Sequence, residues 1–170
     1  MSKSSRVTVR HAPVQASSTT GGTLVVRGDT VTIQTQARVE LVDITEALET
    51  FVIGAGAVEG VLSVWSLHTT CAVFINESQR ALHADIKRAL EQIVDRHTDW
   101  MHNDPAQSDC DRCNADAHLR AMLLGHSLTL QVSGGEIVLG QWQRVLAAEL
   151  DGPRERTLRL QLLGVGLGDM

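Results

Sequence analysis

The order of the predicted secondary structure elements is the feature that most constrains the fold. Short runs rich in Val, Ile, Thr and Leu, which are typical of strands, occur in groups separated by helical segments. These runs cover residues 23–27, 30–36, 38–42, 61–67, 71–75, 127–132, 137–139, 141–150 and 156–163. Because the strands do not follow a regular β-α-β alternation, the sequence predicts an α+β domain with a largely antiparallel sheet.

Two to three helices are expected between the groups of strands. Asp43 can cap a first helix that runs to about residue 53, and Asn114 can cap another that ends at Leu124, before Gly125. Apolar residues at spacings of four, four and three predict a further helix over 80–94. Turn residues predict turns at 28–29, 133–135 and 151–154, of which the last is expected to join the two strands that finish the sheet.

Composition indicates an aliphatic core and a single domain. Aromatic residues are only 3% of the 170 residues and Tyr is absent, so Leu, Val, Ile and Ala must supply most of the buried surface. Residues 1–22 are rich in Ser and Thr and are predicted to form a flexible extension, in which 6–10 could lend an edge strand. Residues 23–170 are predicted to form one domain.

Charge and cysteine usage exclude several classes of partner. The formal net charge is −5, which weighs against a phosphate backbone or an anionic membrane surface as a partner. No apolar run approaches the roughly 20 residues that span a bilayer. Three cysteines and an N-terminus without an apolar segment favour the reducing cytoplasm.

Three of the seven histidines stand at predicted element junctions. His68 ends a strand, His102 lies in the acidic loop 95–113, and His118 is in the first turns of a helix. Neutral imidazoles that converge from these three elements would form a metal site with an open position, as catalytic zinc requires. No fixed-spacing motif such as HExxH supports this. The alternative, three unrelated polar histidines, therefore stays open.

Polar residues around the first of these histidines are further candidates. The hydroxyls of Thr69 and Thr70 could bind a phosphate or carboxylate group, although Thr is also common in strands. Asn76 and Glu77 follow the next strand, and Glu77 could act as a general base or orient a ligand, or simply belong to a helix-entry turn.

The later part of the chain carries weaker signals. Cys110 and Cys113 form a single CxxC before a predicted helix, which is compatible with a redox pair or with half of a structural zinc site. Arg154, in a turn, could bind an anion with two parallel hydrogen bonds. Trp142 lies in an apolar run, where packing is the commoner role.

Several short stretches, taken in order, resemble the YjbQ-like family, whose members are named as secondary thiamine-phosphate synthases. The resemblance covers about residues 30–164. The matching stretches are His68-Thr69-Thr70, Asn76-Glu77, Trp100-Met101-His102, residues 114–119, Leu124-Gly125, residues 140–143 and residues 149–154.

The resemblance implies a two-layer, β-sandwich-like α+β fold and a homotrimer. It implies a metal site near the subunit interfaces, held by the residues that match His68, His102 and His118. In the hypothesis drawn from these residues, Glu77 or Glu149 would orient a ligand or transfer a proton, and both are candidate catalytic residues. The candidate substrate-binding residues are Thr69, Thr70, Asn76, Asn103, Trp142 and Arg154.

The working hypothesis is a metal-dependent enzyme that acts on a phosphorylated small molecule, with secondary thiamine-phosphate synthase activity implied by the resemblance. Formation of thiamine phosphate releases pyrophosphate, for which enzymes commonly use Mg²⁺ with oxygen ligands. Three imidazoles suit Zn, Ni or Fe instead, so zinc is the expected cofactor, with Mg, Ni and Fe as alternatives. The other hypotheses are a metal-dependent hydrolase, a non-enzymatic metal- or metabolite-binding trimer, and a scaffold in which Cys110 and Cys113 act as a redox latch.

Overall fold

A computed structural model describes residues 21–166. This part of the chain contains eight strands, three α-helices and one 3-10 turn, Met101–Asn103. The helices are α1 Thr45–Ala55, α2 Arg80–Ile93 and α3 Ala115–Leu124. The strands are β1 Thr23–Gln34, β2 Glu40–Asp43, β3 Ala57–Ser66, β4 Cys71–Asn76, β5 Ser127–Ser133, β6 Glu136–Ile137, β7 Arg144–Glu149 and β8 Glu155–Gly166.

The strands form two antiparallel sheets. The larger has the order β1-β8-β3-β5-β6, and the smaller has the order β2-β7-β4. Between them lies an aliphatic core of alternate residues such as Leu158, Leu160 and Leu162 of β8. These leucines face inward because successive side chains on a strand point to opposite faces. The predicted α+β fold with antiparallel sheets is confirmed.

A second apolar cluster lies on the other side of the small sheet. Ala72 of β4 and Ala148 of β7 are fully buried there, together with Ala117 and Ala121 of α3 and Leu90 of α2. Small side chains on the strands and on α3 allow the helix and the sheet to approach closely. Helices α2 and α3 thus form a layer outside the small sheet. This packing fixes the position of α3.

Three local predictions about strands and turns were wrong. No turn forms at Gly28-Asp29, because β1 continues through it and pairs with β8 over its whole length. The segment 151–154 does not join two strands of one sheet, since β7 and β8 lie in different sheets. β7 begins only at Arg144, because residues 140–143 form a turn in which the Gln143 N–H donates to the Gly140 carbonyl at 2.9 Å.

The predicted helix starts differ in their outcome. At α1, Ile44 and not Asp43 is the N-cap residue, and its side chain makes no capping bond; Asp43, one residue earlier, accepts the Thr45 backbone N–H at 3.0 Å. At α3, the Asn114 side chain does not cap the helix and instead donates to Asp151 Oδ2 at 2.8 Å. The predicted edge strand over 6–10 and nearly all of the 1–22 extension lie outside the described residues. Among residues 21–166, every helix is too short or too polar to span a bilayer.

Candidate functional site

His102 and His118 lie side by side. His102 is in the 3-10 turn of the 95–113 segment, and His118 is in the first half of α3. Their ring centroids are 5.0 Å apart and the rings are nearly perpendicular, at 79°. The structure therefore brings together two of the three predicted metal-ligating histidines, which are 16 residues apart along the chain.

Asn103 fixes the turn that carries His102 against the start of α3. Its Oδ1 accepts the backbone N–H of Ala115 at 3.0 Å, which satisfies one of the free donors at the helix N-terminus. Its carbonyl oxygen accepts the Cys113 thiol at 3.8 Å. The capping role predicted for Asn114 is thus performed by Asn103, and this bond sets where His102 meets the helix.

The histidine pair lines an open cavity of about 500 Å³. The other lining residues are Trp100, Met101, Ala115 and Leu119. Within this mostly apolar wall, His102 Nε2 is buried and has no hydrogen-bond partner. Because a buried polar atom without a partner is costly, an orphaned imidazole nitrogen beside a second imidazole is a feature that requires explanation.

The local environment keeps His118 neutral. Burial and then the adjacent His102 imidazole lower the pKa of His118 below its usual value. The carboxylates of Asp151 and Asp116 act in the opposite direction without restoring it. A neutral imidazole retains the lone pair that a metal ligand needs.

His68 is held in a different way. Its Nε2 accepts the backbone N–H of Thr157 at 2.8 Å. A neutral ring that accepts at Nε2 carries its proton on Nδ1, so in this arrangement neither ring nitrogen of His68 is free to bind a metal. Burial and then the Arg156 guanidinium lower the pKa of His68, while Glu149 opposes them.

Within one chain, the two histidines therefore supply half of the four ligands of a tetrahedral zinc site. Among residues 21–166, no group of three or more His, Cys, Asp or Glu side chains is close enough to hold a metal ion. The pair of His102 and His118 fits a divalent transition metal in donor type and in its orphaned nitrogen. A complete site needs at least one more protein ligand.

Glu149 lies in a buried ion pair away from the cavity lining. Arg156 donates to both of its carboxylate oxygens, through Nε at 2.6 Å and through Nη2. Glu149 also accepts the Thr35 hydroxyl at 3.1 Å and the Asp151 backbone N–H at 2.8 Å. Thr70 belongs to the same cluster, because its buried Oγ1 accepts Arg156 Nη2 at 3.0 Å. The side chains of Glu149 and Thr70, both predicted site residues, thus form their hydrogen bonds within the protein interior.

A second ionic cluster surrounds Asp151, at the N-terminal end of α3. Arg38 joins Asp151 to Asp116, with distances of 2.8 and 3.0 Å. Arg154 donates to Asp151 Oδ2 at 2.7 Å, and Arg120 lies 3.3 Å from Asp116. Of these residues only Arg154 was singled out in the sequence as a candidate, since the partners of Arg38 are 78 and 113 residues away along the chain.

The remaining candidates lie on the surface. Asn76 Oδ1 accepts the Glu77 backbone N–H at 2.9 Å, and both side chains are exposed. Thr69 is exposed, and its carbonyl lies 3.5 Å from His126 Nε2. Trp142 is 67% exposed, so it is not packed in the core. The roles proposed for these residues stay predictions.

Cys110 and Cys113 are free thiols. Cys110 Sγ lies 3.8 Å from Asn114 Oδ1, and Cys113 has a φ of +48°, which is uncommon for a residue with a side chain. The latch role proposed for this pair stays a prediction.

Sequence comparison places these features in a known family. The family model described as "UPF0047 protein YjbQ-like" matches residues 29–165. A UPF0047 protein of Methanothermobacter thermautotrophicus is 42% identical over 132 residues, which cover 78% of this chain and 88% of that protein. The chain belongs to the YjbQ-like UPF0047 family. The resemblance stated from short motifs is therefore confirmed.

Other members of the YjbQ-like family extend the match to structure. UPF0047 protein YugU of Bacillus subtilis is 31% identical over 135 residues, which cover 79% of this chain and 98% of that protein. The crystal structure of a protein of unknown function from Sulfolobus solfataricus is similar with a TM-score of 0.78 and 35% identity. That match covers 84% of this chain and 99% of the Sulfolobus chain. The family match includes both histidines of the pair and both ionic clusters.

Proposed function

We propose that this YjbQ-like protein is a metal-dependent enzyme that acts on a phosphorylated small molecule. The observation that carries the proposal is the buried, unpartnered Nε2 of His102 beside the neutral imidazole of His118. A bound metal ion would satisfy that nitrogen, which in its absence costs about 1–3 kcal/mol. Imidazole ligands favour zinc, with nickel and iron as alternatives, over magnesium.

The site is proposed to be completed by a second copy of the chain in a homotrimer. The described residues of one chain bring only two imidazoles together, and the cavity beside them is open. Met101 and Met122 are 70% and 64% exposed. Met101 lines the cavity, and Met122 lies one helical turn after His118, on the same face of α3. Exposed apolar side chains around an incomplete polar site are typical of a surface that another protein covers.

The chain's own residues suggest how a phosphorylated ligand would be handled. When bound, a divalent ion would supply a Lewis acid for a phosphate or pyrophosphate group. Asn103 holds His102 in position through its bond to Ala115, and Trp100 and Leu119 supply an apolar wall against which the ligand could pack. Secondary thiamine-phosphate synthase activity, implied by the family resemblance, and phosphate ester hydrolysis are the two reactions to assay.

Metal content and activity of matched variants test this proposal. The protein is purified without chelator, and its metals are measured by mass spectrometry. We expect stoichiometric zinc or another transition metal in the wild type, and loss of at least tenfold in metal affinity in His102→Ala and in His118→Ala. His97→Ala, in the same segment but exposed, is the control and should retain the metal.

The outcomes separate the hypotheses. Metal-dependent turnover of a phosphorylated substrate, lost in both variants, supports an enzyme. Stoichiometric metal without turnover of any phosphorylated compound would identify a metal-binding protein and contradict the enzymatic part. Unchanged metal content in both variants would reject the site. His68→Ala tests the third ligand predicted from the sequence, because metal loss in this variant would assign His68 to the site.

A further inference from the structure

Three arginine side chains converge on one buried carboxylate. Asp151 is 5% exposed, and Arg38 and Arg154 bind its two oxygens at 2.8 and 2.7 Å. Asn114 adds a hydrogen bond to Oδ2 at 2.8 Å. Arg112 approaches the same oxygen at 3.9 Å, too far for a hydrogen bond. The two nearer arginines and the amide already satisfy the carboxylate, so the third guanidinium brings charge that Asp151 does not need.

The charges in this cluster do not cancel. Asp116 pairs with Arg120, while the single charge of Asp151 faces three guanidinium groups. Glu91 lies 3.9 Å from Arg120, so four guanidinium groups face three carboxylates. Asp109 and Asp111 precede Arg112 along the chain, but within residues 21–166 neither forms an ion pair with the cluster. An excess of about one positive charge remains, in a chain whose formal net charge is −5.

Unused hydrogen-bond donors accompany this excess charge. Arg38 Nε is buried and has no partner. The side chains of Arg154 and Arg112 are 33% and 52% exposed, so parts of both guanidiniums face solvent. Because Asp151 holds Arg38 and Arg154 in fixed positions, these donors are ordered before any ligand arrives, which lowers the entropic cost of binding.

We propose that Arg38, Arg112 and Arg154 form a binding site for the phosphate group of a phosphomonoester. Guanidinium groups match phosphate oxygens with pairs of parallel hydrogen bonds, and the net positive charge of the cluster attracts a phosphate anion. This assignment rests on the proposed function in one respect, the choice of a phosphorylated ligand. Of these residues, only Arg154 was a candidate from the sequence.

The position of the cluster relates it to the histidine pair. Asn114, which bonds Asp151, directly precedes α3, and His118 lies about one turn into the same helix. The phosphate site and the two imidazoles therefore both lie at the N-terminal end of α3. The N–H groups of Ala115 and Ala117 already donate to Asn103 and to the Asn114 carbonyl, so the helix contributes its dipole to the attraction of an anion. A substrate held by its phosphate at the arginines would extend towards the histidines.

Binding of inorganic phosphate to the metal-free protein tests the proposal. The full chain is dialysed against a chelator and titrated with phosphate, phenyl phosphate and acetate in a calorimeter at constant ionic strength. We expect both phosphates to bind and acetate not to bind. Arg112→Ala should weaken phosphate binding by at least about tenfold, because Arg112 is half-exposed and its loss leaves the Asp151 bonds intact.

Two controls make the outcome decisive. Arg88→Ala removes one positive charge from an exposed position on α2 and should leave phosphate affinity unchanged. Arg154→Lys keeps the charge but not the fork of donors, and should also weaken binding. Absence of phosphate binding, equal binding of acetate, or wild-type affinity in Arg112→Ala would overturn the assignment.

The same titration separates this inference from the proposed function. Phosphate binding in the absence of metal, by a protein that also fails to bind any transition metal, would leave the arginine site standing and reject the metal-dependent enzyme. Metal binding by His102 and His118 without phosphate binding to the metal-free protein would support the metal site and reject the arginine site.

Discussion

The side-chain oxygen of Asn103 accepts the backbone N–H of Ala115 at 3.0 Å, and this bond joins the two segments that carry His102 and His118. Asn103 follows His102 directly, and Ala115 is the first residue of α3. One hydrogen bond therefore caps the helix and sets the apposition of the two imidazoles. Stability and metal affinity should depend on it together.

Replacement of Asn103 tests this link. Asn103→Ala should lower the free energy of unfolding by about 1 kcal/mol, as the loss of a helix cap does. It should also weaken zinc binding by about tenfold through misplacement of His102. Asn76→Ala is the control, because its exposed Oδ1 bonds only the next residue's N–H in the described structure. Equal metal affinity in Asn103→Ala and the wild type would show that the cap does not position the histidine.

The buried pair of Glu149 and Arg156 should be among the most sensitive points of the fold. Glu149→Ala leaves a buried guanidinium without its charge partner, which costs about 3–5 kcal/mol. The double variant Glu149→Met with Arg156→Met should be less destabilised than the sum of the single changes. Denaturant unfolding followed by circular dichroism measures Glu149→Ala, the two single Met variants and the double Met variant.

The exposed pair of Asp43 and Arg144 is the matched comparison for this buried pair. Asp43→Ala removes an ion pair at the surface, worth about 0.2–1 kcal/mol, together with the hydrogen bond that Asp43 accepts from the Thr45 backbone N–H. A loss at Glu149 no larger than the loss at Asp43 would contradict the account of a closed, buried cluster.

Gly152 allows the turn after β7 to pack against Glu149. A Cβ at this position would lie 2.6 Å from the Ala37 carbonyl oxygen and 2.7 Å from Glu149 Cγ. Gly152→Ala should therefore destabilise the protein by about 1–3 kcal/mol through overpacking. Gly54→Ala, where a Cβ meets nothing within 4 Å in the last turn of α1, should instead be neutral or stabilising. Thermal unfolding of both variants checks the opposite signs.

Acid should destabilise the protein partly through Asp43. Burial alone would raise the pKa of Asp43, but hydrogen bonds from Thr45 and Arg144 hold it below its usual value. Since the folded-state pKa is depressed, the contribution is present above the unfolded-state pKa near 3.8 and is lost as pH falls through the folded-state value. Asp43→Asn should flatten the fall in stability below about pH 4. A fall in stability below pH 4 that is as steep in Asp43→Asn as in the wild type would contradict this role of Asp43.

Local sequence patterns predicted most elements because their causes are local. The apolar spacing of α2 and the turn at 133–135 gave helix and hairpin bounds within a few residues of those observed. The turn predicted at Gly28-Asp29 failed because a long-range partner overrode it. Residues of β8 pair with both positions, and the Arg159 side chain lies over Gly28, where a Cβ would clash with its Nη2.

Some residues of the candidate site could likewise be predicted from the sequence, and others could not. His102 and His118 were both singled out, because each is a histidine at a predicted element boundary. The two ionic clusters could not be predicted, since the partners of Arg38 are far apart along the chain and their pairing depends on how α3 packs on β4 and β7. The hydrogen bond from the Thr157 backbone N–H to His68 could not be predicted either, because a backbone N–H has no sequence signature.

A crystal structure with anomalous diffraction at the zinc, nickel and iron edges is the most direct test of the central claim. The account predicts an anomalous peak about 2.0–2.1 Å from His102 Nε2 and from a ring nitrogen of His118. A metal bound elsewhere, or a His102 Nε2 that is satisfied by a hydrogen bond to protein or water in a metal-saturated crystal, would contradict it.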